Sequence, residues 1–135
     1  MDGGLCPHPI CIVDMRGELA NQSIDFSIRI VTYYEWLIGQ KREYVMSRQI
    51  LRSGTSIGAN IHEAEFAAST ADFKNKLRIA AKEAGETDYW LVVLQKTGYY
   101  INDFNDLKPR VESLLRMLTA TLKKLDGDDK DIKDI

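Results

Sequence analysis

The chain has 135 residues, 44% of them hydrophobic and 28% charged, with a formal net charge of −2. That is enough for one domain with its own core, and it excludes the global basic field of an extended nucleic-acid surface. Its apolar runs fall short of the roughly 18–20 residues of a membrane span, no secretion signal opens it, and Cys6 and Cys11 close too small a loop to brace a domain, so a cytoplasmic protein is expected.

Residues 1–17 carry two prolines and a Gly-Gly pair without periodicity, which predicts a disordered leader. Met15 is a second candidate start. Cys6, His8 and Cys11 are three soft ligands close together, whereas a structural zinc site uses four, so no metal is expected there.

Residues 18–126 read as a four-helix unit. Helix one is predicted over Glu18–Gln40. Ile24, Ile28, Val31, Leu37 and Ile38 form one face, while Phe26, Ile30, Tyr33 and Trp36 load others. That exceeds one apolar stripe, so part of it should meet a wide core or another subunit. A turn at Gly39–Glu43 leads to helix two, predicted over Tyr44–Ala68. Its seam is Ile50, Gly54, Ile57, Ile61, Ala64 and Ala68, stepping by four and three. Gly54 and Gly58 each cost roughly 1 kcal/mol against alanine, which predicts close backbone approach there.

Ser69 and Asp72 read as the capping box of helix three, which should run to about Thr97. Its seam is Phe73, Leu77, Ala80, Ala84, Thr87, Leu91 and Leu94, and Gly98 should end it. Helix four should start from Asn102, Asp103 or Asp106, with Pro109 in its first turn. Leu107, Val111, Leu114, Leu118, Leu122 and Leu125 form its seam. Gly127 is expected to end it, leaving residues 127–135 as a solvated acidic tail. From Asp126 on, five aspartates stand against two lysines, a net −3 that leaves Met1–Leu125 at +1. No segment has strand periodicity. The expected fold is all-α, an antiparallel up-down-up-down four-helix bundle.

On helix two, Arg52, Ser56, Asn60 and Glu63 fall within an arc of roughly 80°, with Ser53 beside it. Half-buried polar groups next to an apolar seam need partners. The stripe therefore reads as a hydrogen-bonded network that sets helix register or closes a subunit interface. Helix three offers a matching band, Lys76, Glu83, Glu86 and Trp90, with Ile79 between them. A subunit boundary is predicted along these flanks and along the surplus apolar surface of helix one.

Two basic groupings are candidate nucleic-acid contacts. Lys41, Arg42, Arg48 and Arg52 surround the first turn, and Lys74, Arg78 and Lys82 form a row on the outer face of helix three. Catalytic patterns are missing. There is no Glu-x-x-His for a di-metal site, no His-Glu-x-x-His and no phosphate-binding glycine loop. No catalytic residue, cofactor, metal or small-molecule substrate is assigned.

Three motifs are distinctive together: Leu51-Arg-Ser-Gly-Thr-Ser-Ile-Gly-Ala-Asn-Ile-x-Glu-Ala64, Asp72-Phe-x-x-Lys-Leu-x-Ile-Ala80 and Lys82-Glu-Ala-x-Glu-Thr-x-Tyr-Trp-Leu91. They resemble the bacterial four-helix bundle family, also called 23S rRNA-intervening-sequence or S23-like proteins, over about Ser23 to Leu125. The resemblance implies a left-handed bundle assembling as a barrel-like homopentamer. The family is also similar to the accessory variability determinant of diversity-generating retroelements, a strongly basic pentamer that binds nucleic acid and a reverse transcriptase. At −2 this chain departs from that relative in charge. The resulting expectation is a non-enzymatic homo-oligomer with RNA or a nucleoprotein as partner. The rival is a structural scaffold that engages only protein.

Overall fold

The structure, a computed structural model, describes residues 15–133, with side chains over 17–127. A π-helical turn at Met15–Leu19 leads into four α-helices: α1 (Ala20–Gly39), α2 (Met46–Ala64), α3 (Thr70–Lys96) and α4 (Leu107–Lys133). A 3-10 turn, Asn102–Phe104, precedes α4. Among the described residues there is no strand, and no helix is long and apolar enough to cross a membrane. The leader expected over Met1–Asp14, with Cys6, His8 and Cys11, lies outside the described residues. Met15–Gly17, expected to belong to it, are helical.

Local chemistry sets the helix ends. The Glu43 carboxylate accepts from the backbone N–H groups of Val45 (3.2 Å), Met46 (3.1 Å) and Ser47 (2.7 Å). It satisfies donors that the first helical turn leaves open, and it sets negative charge at the positive end of the helix dipole. With that cap, α2 starts at Met46, two residues later than its pattern predicts. Arg42 is the left-handed residue of this turn, at φ 53°. α2 stops at Ala64, before Ala68, because the chain must turn into the next cap. Ser69 Oγ accepts from Asp72 N–H at 3.1 Å, and the Asp72 carboxylate accepts from Ala68 N–H at 3.2 Å.

Gly98 ends α3 at φ 89°, with Tyr99 N–H donating to Leu94 O (2.9 Å) and Gly98 N–H to Gln95 O (3.3 Å). This is the paired closure of a left-handed C-terminal glycine. Arg110 N–H donates to Asp106 O at 3.1 Å, so Asp106 stands where the N-cap of α4 belongs. The expected stop at Gly127 is corrected: α4 continues through it to Lys133. Glycine caps a helix only when it turns left-handed, and Gly127 keeps a negative φ.

The seams of α2, α3 and α4 are buried as spaced, except that Ala68 is exposed and Leu122 half-buried. The phase of α1 is the main correction. Its inward face is Phe26, Ile30, Tyr33 and Leu37, continued from Leu19. Ile24, Ile28 and Val31, predicted to share a face with Leu37, are 56%, 60% and 40% exposed. Both sets keep helical spacing, so periodicity alone does not choose between them. The inward set carries the aromatics, which bury the larger areas. Tyr33 also donates its hydroxyl to Tyr99 O at 2.5 Å and packs on Phe104 with ring centroids 4.8 Å apart.

α2 packs on both α1 and α3, α3 packs on α4, and α1 meets α4 more lightly. A Cβ at Gly54 would lie 2.9 Å from Ile30 Cγ1, so the notch holds a branched side chain rather than the backbone expected there. Backbone approach occurs at Gly58, whose Cβ would lie 3.3 Å from Ser23 O.

Candidate functional site

The polar stripe of α2 and the band of α3 meet. Arg52 directs Nη1 to Glu83 Oε1 at 3.2 Å and Nη2 to Glu86 Oε2. Glu86 Oε2 also accepts from Trp90 Nε1 at 3.1 Å. The hydrogen bond from Arg52, and then that from Trp90, hold the Glu86 carboxyl below the usual carboxylate range. The same bond to Glu86 raises Arg52. One residue on in each helix and facing inward, the buried Ser53 and Thr87 hydroxyl oxygens are 2.9 Å apart, and Thr87 is also 2.7 Å from Glu83 O. Each hydroxyl has one proton, so two bonds use two protons and both groups are satisfied. Lys76 Nζ reaches Glu63 Oε1 at 2.9 Å. Ser56 and Asn60 turn back along their own helix, Ser56 Oγ to Arg52 O (2.6 Å) and Asn60 Nδ2 to Ser56 O (2.8 Å). Ile79 is half-buried on this flank.

The two basic groupings fare differently. Lys41, Arg42 and Arg48 are exposed around the α1–α2 turn, with Lys41 Nζ 5.5 Å from the centroid of the Trp36 ring. Arg52 leaves that group for α3. The row on α3 does not form an outer basic face. Lys74 is buried, and its Nζ lies 3.5 Å from Asp126 Oδ1, to which Arg78 also pairs at 3.0 Å. Lys74 lies on the flank of α3 that α4 covers, which is why the predicted outward position is corrected. Lys82 is exposed and has no ion pair among the described residues.

Sequence reading missed a closed ionic ring between α1 and the start of α4. Arg29 contacts Asp25 (3.3 Å) and Asp106 (2.9 Å), and Arg110 contacts the same two carboxylates at 2.8 Å each. Its signal was legible: Asp25/Arg29 and Asp106/Arg110 are each an i,i+4 pair. Lys108 makes a third link, 2.7 Å from Asp88 on α3 and 3.0 Å from Glu112. Among the described residues no group of three or more His, Cys, Asp or Glu side chains is placed to hold a metal ion.

Among the described residues, an all-helical arrangement of four α-helices, tied by interhelical ionic and hydroxyl links, is the class these features define. The chain belongs to the 23S rRNA-intervening sequence protein family, whose model matches residues 17–120. It is similar to a crystal structure from Bacteroides thetaiotaomicron, a protein of unknown function from the S23 ribosomal protein family. The two share 47% identity and a TM-score of 0.75, over 78% of this chain and 95% of that one. No curated protein matches this chain.

Proposed function

We propose that this protein is a non-enzymatic, self-associating scaffold. Its four helices form an antiparallel up-down-up-down bundle, and copies of the bundle close into a homo-oligomer, pentameric if it follows the family resemblance. The contact pairs support the antiparallel order. Gly54 meets Ile30 while Gly58 meets Ser23, and Arg52 meets Glu86 while Glu63 meets Lys76. The observation that carries self-association is the outward stripe Ile24, Ile28 and Val31, each at least 40% exposed. Contiguous apolar patches beyond a few hundred Å² mark interaction sites. The α2–α3 band supports register within one subunit, since its charges pair inside the chain.

RNA binding is the second reading, and the α1–α2 turn supports it. Lys41, Arg42 and Arg48 are exposed there, and Tyr44 beside them is 51% exposed. Cations next to an exposed ring are the elements of a phosphate-and-stacking contact. The family's name ties it to ribosomal RNA, and a cytoplasmic place of action fits that. Sedimentation velocity of the full chain at micromolar concentration tests the scaffold, and a monomer refutes it. An RNA titration across a salt series tests the second reading. Arg42→Glu with Arg48→Glu should weaken binding and flatten the salt slope. Equal binding by both proteins refutes the contact at this turn.

A further inference from the structure

On α1 the exposed residues Ile24, Ile28, Val31 and Glu35 step by four, three and four, so they form one line along the helix. Glu35 has no ion pair among the described residues. The only basic residue of α1 is Arg29, already held by Asp25 and Asp106. The outward face of α1 is therefore apolar and acidic. The outward face of α4 is its complement. Leu115, Arg116, Thr119, Ala120 and Lys123 line a shallow hollow there, with Thr119 and Ala120 exposed and small. Arg116 and Lys123 are exposed, one turn or less from Thr119 and Ala120, and neither has an ion pair among the described residues.

We infer that the Ile24–Glu35 line of one subunit docks on the Leu115–Lys123 face of α4 in a second copy. This inference rests on the self-association proposed above and names its two surfaces. The aliphatic side chains of α1 cover the small residues of the hollow, and Glu35 gains the cations it lacks within its own chain. Packing of the line against its own copy is disfavoured, because that would leave both Glu35 carboxylates without a cation. The contact is therefore heterologous, each subunit giving α1 to one neighbour and α4 to the other. Such contacts generate a ring where the rotation closes.

Two exposed substitutions test it, Ile28→Asp on the donor line and Ala120→Asp on the acceptor face. Both lie outside the core, and circular dichroism confirms that each variant is folded. In sedimentation velocity each variant alone should dissociate at concentrations where the wild type is assembled, with affinity weakened roughly tenfold or more. Mixed one to one, the variants should form dimers and nothing larger, because one intact line then meets one intact face. Variants that assemble like the wild type overturn these surfaces while leaving self-association standing. Monomeric variants that stay monomeric when mixed also overturn the heterologous contact. A monomeric wild type overturns the scaffold reading, and this inference with it.

Discussion

Gly54→Ala isolates one packing contact whose sign can be worked out. An alanine Cβ would sit 2.9 Å from Ile30 Cγ1 and 3.0 Å from Ile30 Cγ2. Favourable carbon contacts begin near about 3.5 Å, so something must move by roughly half an ångström. Ile30 is fully buried and branched at Cβ, which leaves it little freedom to swing aside. Replacing glycine within a helix gains up to about 1 kcal/mol in propensity. Overpacking of this kind costs about 1–3 kcal/mol. The net expectation is a loss of about 1 kcal/mol. Gly85 is the control. It lies inside α3, and a Cβ there would meet nothing within 4 Å, so Gly85→Ala should stabilise by up to about 1 kcal/mol. Urea denaturation at one fixed protein concentration would read both, since the proposed self-association would make the midpoint depend on concentration. In an Ile30→Ala background the obstructing atoms are gone, and Gly54→Ala should become stabilising. If Gly54→Ala stabilises the wild type as much as Gly85→Ala does, Ile30 does not occupy that notch as described.

Three further predictions concern polar groups. Thr87→Val leaves the buried Ser53 hydroxyl without its partner and should cost about 1–3 kcal/mol in urea denaturation, most of it recovered on adding Ser53→Ala. A double variant no better than Thr87→Val would contradict the pairing. Glu43→Ala removes the acceptor of three N–H groups and should cost about 1–2 kcal/mol, with some loss of helical ellipticity. An unchanged midpoint would show that water replaces the cap without penalty. The Glu86 carboxyl titrates below its unfolded range, so its contribution is present above that range and lost as pH falls through the depressed folded value. The group is more than a third exposed, so the effect is small and screened by salt. Glu86→Gln should flatten the acid side of a Tm-against-pH profile at low ionic strength, and identical profiles would remove Arg52–Glu86 as a stabilising pair.

The sequence made some of these features legible and hid others, and the difference is physical. Helix number, the Ser69 cap and the Gly98 closure each follow from chemistry within a few residues, so local pattern sufficed. The meeting of Arg52 with Glu83 and Glu86 was half legible. Spacing set the two polar flanks on their helices, but intrachain pairing and a subunit boundary predict the same polar stripe. Lys74 was misplaced because a lysine on an i,i+4 row looks solvated until the covering helix is known. Its stem is buried and its ammonium reaches Asp126, which the expected stop at Gly127 had put at the margin of the acidic tail. The phase of α1 is the most informative case. Ile24, Ile28 and Val31 have the spacing of a core face, as do Phe26, Ile30 and Tyr33. A helix with one apolar stripe would have fixed its own orientation, while one with two is oriented by its neighbours. The neighbours choose through shape: Gly54 offers a notch that Ile30 fills, and Tyr99 offers a carbonyl that Tyr33 reaches. The stripe left outside has helical spacing too, the same periodicity that packing in the core asks. The ambiguity in the sequence of α1 and the exposed apolar face in its structure are thus one feature, a helix with two apolar faces of which the chain's own core covers only one.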